Sequence, residues 1–484
     1  MIIVGGPGIL EEMIAISDRA RKIHFIGIGG SGMSGLAKVA LEAGYRVTGS
    51  DLKPGEAVAA LQALGACVYP GHDAVHLEEN TDLVVYSSAV KPDNPELLEA
   101  RRRGLEVISR GQFLARLMER YRGIAVAGTH GKTTTTAMIA TVLKRAGLDP
   151  TVVVGGRLCG EETNAWLGGG EFLVAEADES DGSFLYLRPE VAVVTNVDND
   201  HLDHYGHPQA LREAFRRFVQ STVPDGAAVV CSDDPFLASL AEERHAVITY
   251  GWSREARLRG ERPELGPAGS RCRVYEGPQY LGLLELTVPG RHNLTNALAA
   301  VAVARFLGLP FAVAAQALAG YAGVARRFQR LGEAAGRLVI DDYAHHPTEI
   351  GATLAAARAL GRRLVVVFQP HRYSRTQRLY REFGSALAAA DVVVVTEIYS
   401  AGEAAIPGVD GRLVAEEVRR HGRTAVYYCT EREKLLPLVE ELTRPGDIVL
   451  TVGAGDIYQV GRELVTRWSA AKGASDLWPQ ASSV

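Results

Sequence analysis

Cysteine is scarce: five residues in 484, at positions 67, 159, 231, 272 and 429, and none forms a CxxC pair. A disulfide framework and a cysteine zinc site are both excluded, which leaves reduced core thiols. A basic excess is lacking as well. Fifty-two Lys and Arg stand against 57 Asp and Glu, a net charge of −5, and a nucleic-acid clamp needs the opposite balance. Uninterrupted apolar runs of spanning length are missing. The nearest, Ala297–Gly320, is broken by Arg305 and by Gly308 with Pro310, so it reads as two buried helices, 294–307 and 311–319. The first residues carry no basic start ahead of their apolar stretch and place acids at Glu11 and Glu12, unlike a signal peptide. With 47% apolar and 23% charged residues, disorder, collagen and coiled coil fall away. The expectation is a soluble cytoplasmic chain with no nucleic-acid partner and no membrane insertion.

At about 150 residues per domain, the length predicts about three domains. Apolar β-branched runs recur at Ile23–Ile26, Leu83–Tyr86, Ile124–Ala127, Phe172–Ala175, Val191–Thr195, Leu338–Ile340, Leu364–Phe368, Val392–Thr396 and Ile448–Thr451. Such runs suit parallel strands covered on both faces. Amphipathic helices lie between them. In 210–220, Leu211, Ala214, Phe215, Phe218 and Val219 share one face, and Arg212, Glu213, Arg216 and Arg217 the other. The fold class is therefore α/β, built from βαβ units on mostly parallel sheets. Breaks near 118 and 325 divide it into 1–118, 119–325 and 326–484, with 253–280 an insertion or hairpin region in the middle domain. The Arg101–Arg103 run reads as a solvated helix face.

Seven polar clusters follow strands: GIGGSG, GTHGKTTT, EADES, NVDNDHLDHY, DDYAHHP, QPHRYSRT and GAGD. Ligands of open parallel sheets bind beyond the carboxyl ends of the strands. The first cluster, Gly27-Ile28-Gly29-Gly30-Ser31-Gly32 with Asp51 after a second apolar run, fits a dinucleotide fingerprint. It reports a pyrophosphate near a helix end and does not by itself report nicotinamide. The second, Gly128-Thr129-His130-Gly131-Lys132-Thr133-Thr134, lacks the first glycine of a full phosphate loop because position 126 is valine. It keeps the small turn, the lysine and the hydroxyls, and so points to ATP.

Glu176, Asp178, Glu179 and Asp181, with Asp198, Asp200, His201, Asp203 and His204, offer oxygen ligands for Mg²⁺. The rival is a hydrolytic zinc site from His201, His204, His207 and Asp203. Asn293 either caps the helix that follows or, with Asn296 a turn later, reads a flat polar edge such as adenine. Arg372 and Arg375 suit a small carboxylate, and Arg326-Arg327 at the second break could add charge to phosphates. A kinase needs two such sites. A ligase that activates one carboxylate with ATP and joins it to an amino acid needs three. A nucleotide-linked (NAD) oxidoreductase would rest on the first turn alone.

The motifs HFIGIGGSGMSG, AGTHGKTTT, EADESDGSF, NVDNDHLDHY, PGRHNLTNALAA, RRFQ, DDYAHHPTE and FQPHRYSRT closely resemble those of the Mur ligases, over residues 22 to 465. That resemblance implies a Rossmann-like N-terminal domain, a P-loop-like central ATPase domain and a Rossmann-like C-terminal domain. It implies a carbon–nitrogen ligase using ATP and Mg²⁺ to join L-alanine to the carboxylate of UDP-N-acetylmuramate through an acyl phosphate. The runner-up is a sister ligase adding another amino acid or a peptide.

By the same resemblance, Gly29, Gly30, Ser31, Gly32, Asp51, His72, Ser87 and Arg110 serve the UDP-sugar. Gly128, Thr129, Gly131, Lys132, Thr133, Thr134, Asn293, Asn296, Arg327 and Asp342 serve ATP. Thr133, Glu176 and His201 serve the metal, and Tyr343, His345, Arg372 and Arg375 the amino acid. Lys132, His201, Arg327 and His345 are the catalytic set, and the expected state is a monomer or weak homodimer. Two departures stand out. Sister ligases hold a second Mg²⁺ on a carbamylated lysine, but no lysine lies between Asp200 and Pro224, and a PIPG-like loop reads Ala405-Ile406-Pro407-Gly408. The base for the amine stays open between His201, His345 and arrival of alanine as free amine.

Overall fold

A computed structural model describes residues 22–475 apart from 54, 160–162 and 244–245. Side chains of 203, 242, 243 and 471–475, and the first 21 residues with Glu11 and Glu12, lie outside that description. The chain forms two compact units. The first holds the described residues through Arg262, with Cys272–Glu285 and Leu294–Ala322; the second holds Pro263–Arg271, Leu286–Asn293 and those from Gly323 onward.

The first sheet contains β1 (Lys22–Ile26), β2 (Arg46–Asp51), β3 (Cys67–Pro70), β4 (Leu83–Tyr86) and β5 (Glu106–Ser109). Their order is β3-β2-β1-β4-β5 and every pairing is parallel. Helices Ser31–Glu42, Glu56–Ala63 and Pro95–Arg102 and the short turn Ala74–His76 provide the crossovers, and helix Arg110–Met118 follows β5. Order reverses at β1, so the turn after β1 opens into the crevice where such sheets bind ligands. Gly49 inside β2 has a packing reason: a Cβ there would lie 2.6 Å from the Phe25 carbonyl oxygen.

The second sheet has ten strands: β6 (Arg122–Ala127), β7 (Thr151–Val153), β8 (Ala165–Trp166), β9 (Phe172–Glu176), β10 (Val191–Val194), β11 (Ala227–Cys231), β12 (Val247–Gly251), β13 (Leu258–Gly266), β14 (Gly269–Glu276) and β15 (Gln279–Leu286). The order is β15-β14-β13-β12-β11-β10-β6-β9-β7-β8. β6 lies between β10 and β9, parallel to both, which makes its carboxyl end a second switch point. The region 253–280 contributes successive strands to one sheet edge. Helix Pro208–Gln220 buries Leu211, Ala214, Phe215, Phe218 and Val219, the face its periodicity predicts.

In the second unit, β16 (Gln329–Ala334), β17 (Arg337–Asp342), β18 (Leu364–Phe368), β19 (Val392–Thr396), β20 (Ala425–Cys429) and β21 (Ile448–Val452) stand in the order β16-β17-β21-β18-β19-β20. Only β16 is antiparallel to its neighbour. Val366, Val393 and Leu450 pack into one core, while Val367, Val394 and Val449 pack into another on the opposite face. Two covered faces explain why these strands read as unbroken apolar runs.

The apolar window forms helices Arg291–Phe306 and Phe311–Ala319, and no described helix is long and apolar enough to cross a membrane. Two expectations are corrected. Cys67 is exposed and Cys159 half-buried, so only Cys231, Cys272 and Cys429 are core thiols. Arg101 and Arg102 are solvated, but Arg103 donates to the carbonyl oxygens of Leu77, Glu78 and Glu79, because it follows the helix and reaches a neighbouring turn.

Candidate active site

Three parallel strands converge on the best-defined cluster. β6 ends at Ala127, and Gly128 (φ +130°) and Gly131 (φ +82°) turn the chain into helix Lys132–Arg145. A Cβ at Gly131 would lie 2.7 Å from the Asn296 Oδ1 atom, so Asn296 flanks this turn. Thr129 donates its backbone N–H to Asn196 and accepts from the Asp198 N–H at 2.9 Å. The free N–H groups of a helix start and its dipole favour an anion. Lys132 opens the helix with its ammonium 2.6 Å from the Gly128 carbonyl oxygen and 2.7 Å from Glu179 Oε1. Burial would lower its pKa, but Glu179 and Glu176 outweigh burial and hold it above the ordinary lysine value. Thr133 donates to Glu176 Oε2 at 3.0 Å, and Thr134 is buried one position on.

The acids after β9 divide their work. The parallel register Val126–Glu176 brings Glu176 alongside the phosphate turn, where it also accepts the Gly155 N–H at 2.8 Å. Glu179 is 1% exposed and its Oε2 has no hydrogen-bond partner among the described residues. His201, at φ +56°, sets Nε2 3.5 Å from Glu179 Oε1. Burial alone would lower the His201 pKa, but Glu179 and Asp200 raise it on balance. Glu179 stands among the acids that offer Mg²⁺ ligands, while the resemblance singles out Glu176 and His201; the enclosed Lys132 calls for a counter-charge, and Glu179 supplies it. The zinc alternative is corrected here. His201 turns to Glu179, His204 packs on Tyr205 at 4.7 Å, and His207 caps helix Pro208–Gln220 by accepting the Ala210 N–H. Helix geometry sends the three rings to three different neighbours, and the Asp203 side chain lies outside the described residues.

At the first sheet, Asp51 accepts the Gly29 N–H at 2.8 Å, and the Ser50 carbonyl accepts those of Gly27 and Ile28. Gly30 precedes Ser31 and Gly32 at the start of helix Ser31–Glu42. Ser87 lies 3.2 Å from where a Gly27 Cβ would stand, and Arg110 the same distance from a Gly32 Cβ. Arg110 also reaches Asp178 at 2.9 Å, a link from the first glycine-rich turn to the acidic segment after β9. His72 bonds the Ser50 hydroxyl, which donates to Glu96 at 2.6 Å. Glu96 is fully buried, yet donors on His24, Ser50 and His76 outweigh that burial and pull it down to about 2.

In the second unit, β17 delivers Asp342, which accepts the N–H groups of Phe328 and Ala344, both at 2.8 Å. Tyr343 stacks under Arg327 at 5.2 Å and edges against His345 at 5.5 Å. Glu349 binds the His345 N–H at 3.0 Å and approaches Arg327 at 3.7 Å. It was missed in the sequence, although His346-Pro347-Thr348-Glu349 has the spacing of a capping box. Arg375 is buried and meets His371 at 3.2 Å, whereas the half-exposed Arg372 stands 4.0 Å from Glu403. The two guanidinium groups therefore keep separate partners, since φ of +70° at Arg372 redirects the chain just before helix Tyr373–Leu387. The capping alternative for Asn293 is corrected, because its amide donates to Pro289 at 2.7 Å from inside helix Arg291–Phe306.

Burial pushes His292 and His345 down to about 4, and burial with His345 and Arg375 pushes His371 down to about 3. Burial raises Asp342 to about 6 and lifts Asp341 as well. The histidines stabilise the fold above the unfolded value near 6.5, and that stability drains as pH falls toward 4. Asp342 acts oppositely, since it stabilises below about 4 and loses that contribution as pH rises toward 6, and Asp341 works in the same direction. Unfolding between pH 4.5 and 6 is thus expected to take up about one to two protons net. Thermal midpoints measured across that range should rise with pH. A flat profile would contradict the buried, neutral state of these rings.

Residues 22–122 match the Mur ligase family, catalytic domain; 126–304 match the Mur ligase middle domain; and 326–455 match the Mur ligase, glutamate ligase domain. The chain belongs to the Mur ligase family. Each matched segment carries one of the three sheets, giving the Mur ligase three domains on mostly parallel sheets. Among Mur ligases, the UDP-N-acetylmuramate–L-alanine ligase of Pelotomaculum thermopropionicum is 51% identical over 453 residues, 93% of this chain and 98% of that one. The enzyme of the same name from Geobacter sp. is 50% identical over 457 residues, 94% and 99% of the two chains. The crystal structure of UDP-N-acetylmuramate-alanine ligase from Thermotoga maritima superimposes with a TM-score of 0.80 at 34% identity, covering 93% of this chain and 99% of that one. A murein peptide ligase from Psychrobacter arcticus gives 0.67 at 25% identity, covering 96% and 100%.

Proposed function

We propose that this Mur ligase is an ATP-dependent enzyme joining L-alanine to the carboxylate of UDP-N-acetylmuramate, with release of ADP and phosphate, as a cytoplasmic step of peptidoglycan synthesis. The observation that carries the reading is the pair of the half-buried Lys132 with the buried Glu179 at the carboxyl end of β6, beside Thr133 and Glu176. It stands in a chain half identical to alanine-adding relatives over nearly their whole length. A muramyl carboxylate oxygen attacks the γ-phosphorus and ADP departs. The alanine amine then attacks the acyl-phosphate carbonyl, loses a proton, and phosphate leaves.

Lys132 and the N–H groups of its helix spread charge away from the transferring phosphoryl group. The hydroxyl and carboxylate oxygens of Thr133 and Glu176, with His201 near Glu179 Oε1, fit a hard divalent ion. Those residues would hold Mg²⁺, which when bound neutralises phosphate charge. Asn296 and Asn293, Arg327 and Asp342 serve the nucleotide in this reading, and the Gly29–Gly32 turn with Asp51, His72, Ser87 and Arg110 serves the UDP-sugar.

Tyr343, His345, Arg372 and Arg375 form the amino-acid side. His345 is the candidate that burial keeps neutral, at a pKa of about 4, so its ring is open to a proton though a weak base. Its Nδ1 lies 3.1 Å from the Tyr343 carbonyl oxygen and donates to it, which leaves a lone pair on Nε2. Domain limits of 1–118, 119–325 and 326–484 accompany this proposal, as does a monomer or weak homodimer. Phosphate release with UDP-N-acetylmuramate, ATP and Mg²⁺ across a panel of amino acids tests it. Release with L-alanine is expected, and release with another amino acid or a peptide alone would overturn the assignment.

A further inference from the structure

In the structure, Lys132 is already satisfied. Its ammonium contacts the carbonyl oxygens of Gly128 and Thr129 and the Glu179 carboxylate at 2.6, 3.2 and 2.7 Å. The other carboxylates nearby are committed elsewhere. Glu176 accepts from Thr133 and Gly155, and Asp178 accepts from Arg110. Among the described residues, Glu179 alone combines near-complete burial, a direct bond to Lys132 and an oxygen with no donor. Such an oxygen is costly in a protein interior unless something charged meets it. Two glutamates around one lysine also leave the turn short of positive charge, which disfavours a polyphosphate.

We propose that Glu179 makes nucleotide binding at the Lys132 turn conditional on a divalent cation. Without the cation, its carboxylate holds the Lys132 ammonium and repels incoming phosphates. With the cation, that charge is balanced and Lys132 is released to the phosphates. This rests on the reading of the turn as the nucleotide site. Binding of nucleotide and of cation are then coupled, and each must strengthen the other by one common factor.

Calorimetric titration of the full chain with ADP, with and without Mg²⁺, tests it apart from turnover. The wild-type chain is expected to bind ADP on the order of 5- to 150-fold more tightly with Mg²⁺, a usual range for coupled sites. Glu179→Gln should tighten metal-free ADP and shrink that ratio several-fold, because Lys132 keeps its two carbonyl partners and loses only the competing charge. Glu179→Ala serves where the amide variant does not fold. Equal weakening of ADP with and without Mg²⁺ would show a merely structural role and overturn the inference. In the wild-type chain alone, ADP must raise Mg²⁺ affinity by the same factor, and a factor near one overturns it with no variant needed. Absence of any ADP binding with Mg²⁺ would instead sink the nucleotide reading itself.

Discussion

Lys132→Ala is expected to lower phosphate release by at least about 10³-fold, the scale of removing a cation that stabilises a transferring phosphoryl group. The same change should destabilise the fold. Glu179 is 1% exposed and Lys132 is its nearest cation. Taking one partner from a buried pair costs about 3–5 kcal/mol because a charge is left without compensation. Replacing both partners with neutral groups of similar shape removes that cost. The double variant Lys132→Met with Glu179→Gln should therefore recover most of the stability in urea denaturation and none of the turnover. Activity within about ten-fold of wild type in the single variant would remove Lys132 from the reacting centre.

Gly128→Ala should abolish ADP binding and cost about 3 kcal/mol or more in stability, above the usual cost of an ordinary strained backbone position. At φ +130° an L side chain is already disfavoured. The added Cβ would also sit 2.1 Å from Thr195 Oγ1 and 3.0 and 3.1 Å from the backbone nitrogens of Thr195 and Asn196. Thr195 cannot easily withdraw, since its hydroxyl donates to the His130 carbonyl oxygen at 2.6 Å and thereby shapes the turn. Gly44→Ala is the matching control. It has φ +87° but nothing within 4 Å of the added atom, so strain alone applies, about 1 kcal/mol. Thermal unfolding with ADP titration separates the two. If Gly128→Ala behaves like Gly44→Ala, the turn is not held as the structure shows.

Burial on both faces made many strands legible, although the fully buried β11 did not read as a run. β18, β19 and β21 read as runs because cores cover both faces. β20 was missed because its residues alternate between exposed and half-buried positions up to Cys429. β7 and β8 are three and two residues long, too short for any periodicity to register. The amphipathic helix Pro208–Gln220 was read residue by residue, since a period of 3.6 survives in any local window.

Chemistry followed the same division. The types and positions of Lys132, Thr133, Glu176, His201, His345 and Arg375 are local facts, set by motifs that follow strands. Which of four neighbouring acids meets Lys132 is not local. It depends on the parallel register of β9 against β6 and on the left-handed residue at His201. Glu96 and Glu349 stayed unread for the same reason, because their histidine and arginine partners are distant in the chain or on another element.

The scarcity of cysteine and of basic charge, the α/β pattern and the motif positions were determined by the sequence alone. They arise from composition and short-range spacing, which any contiguous stretch displays. The pairing of Lys132 with Glu179, the parting of Arg372 from Arg375 and the dispersal of His201, His204 and His207 were decided only by the tertiary structure. Hydrogen bonds and ion pairs are satisfied through space, and spacing along the chain does not say which donor reaches a buried carboxylate first.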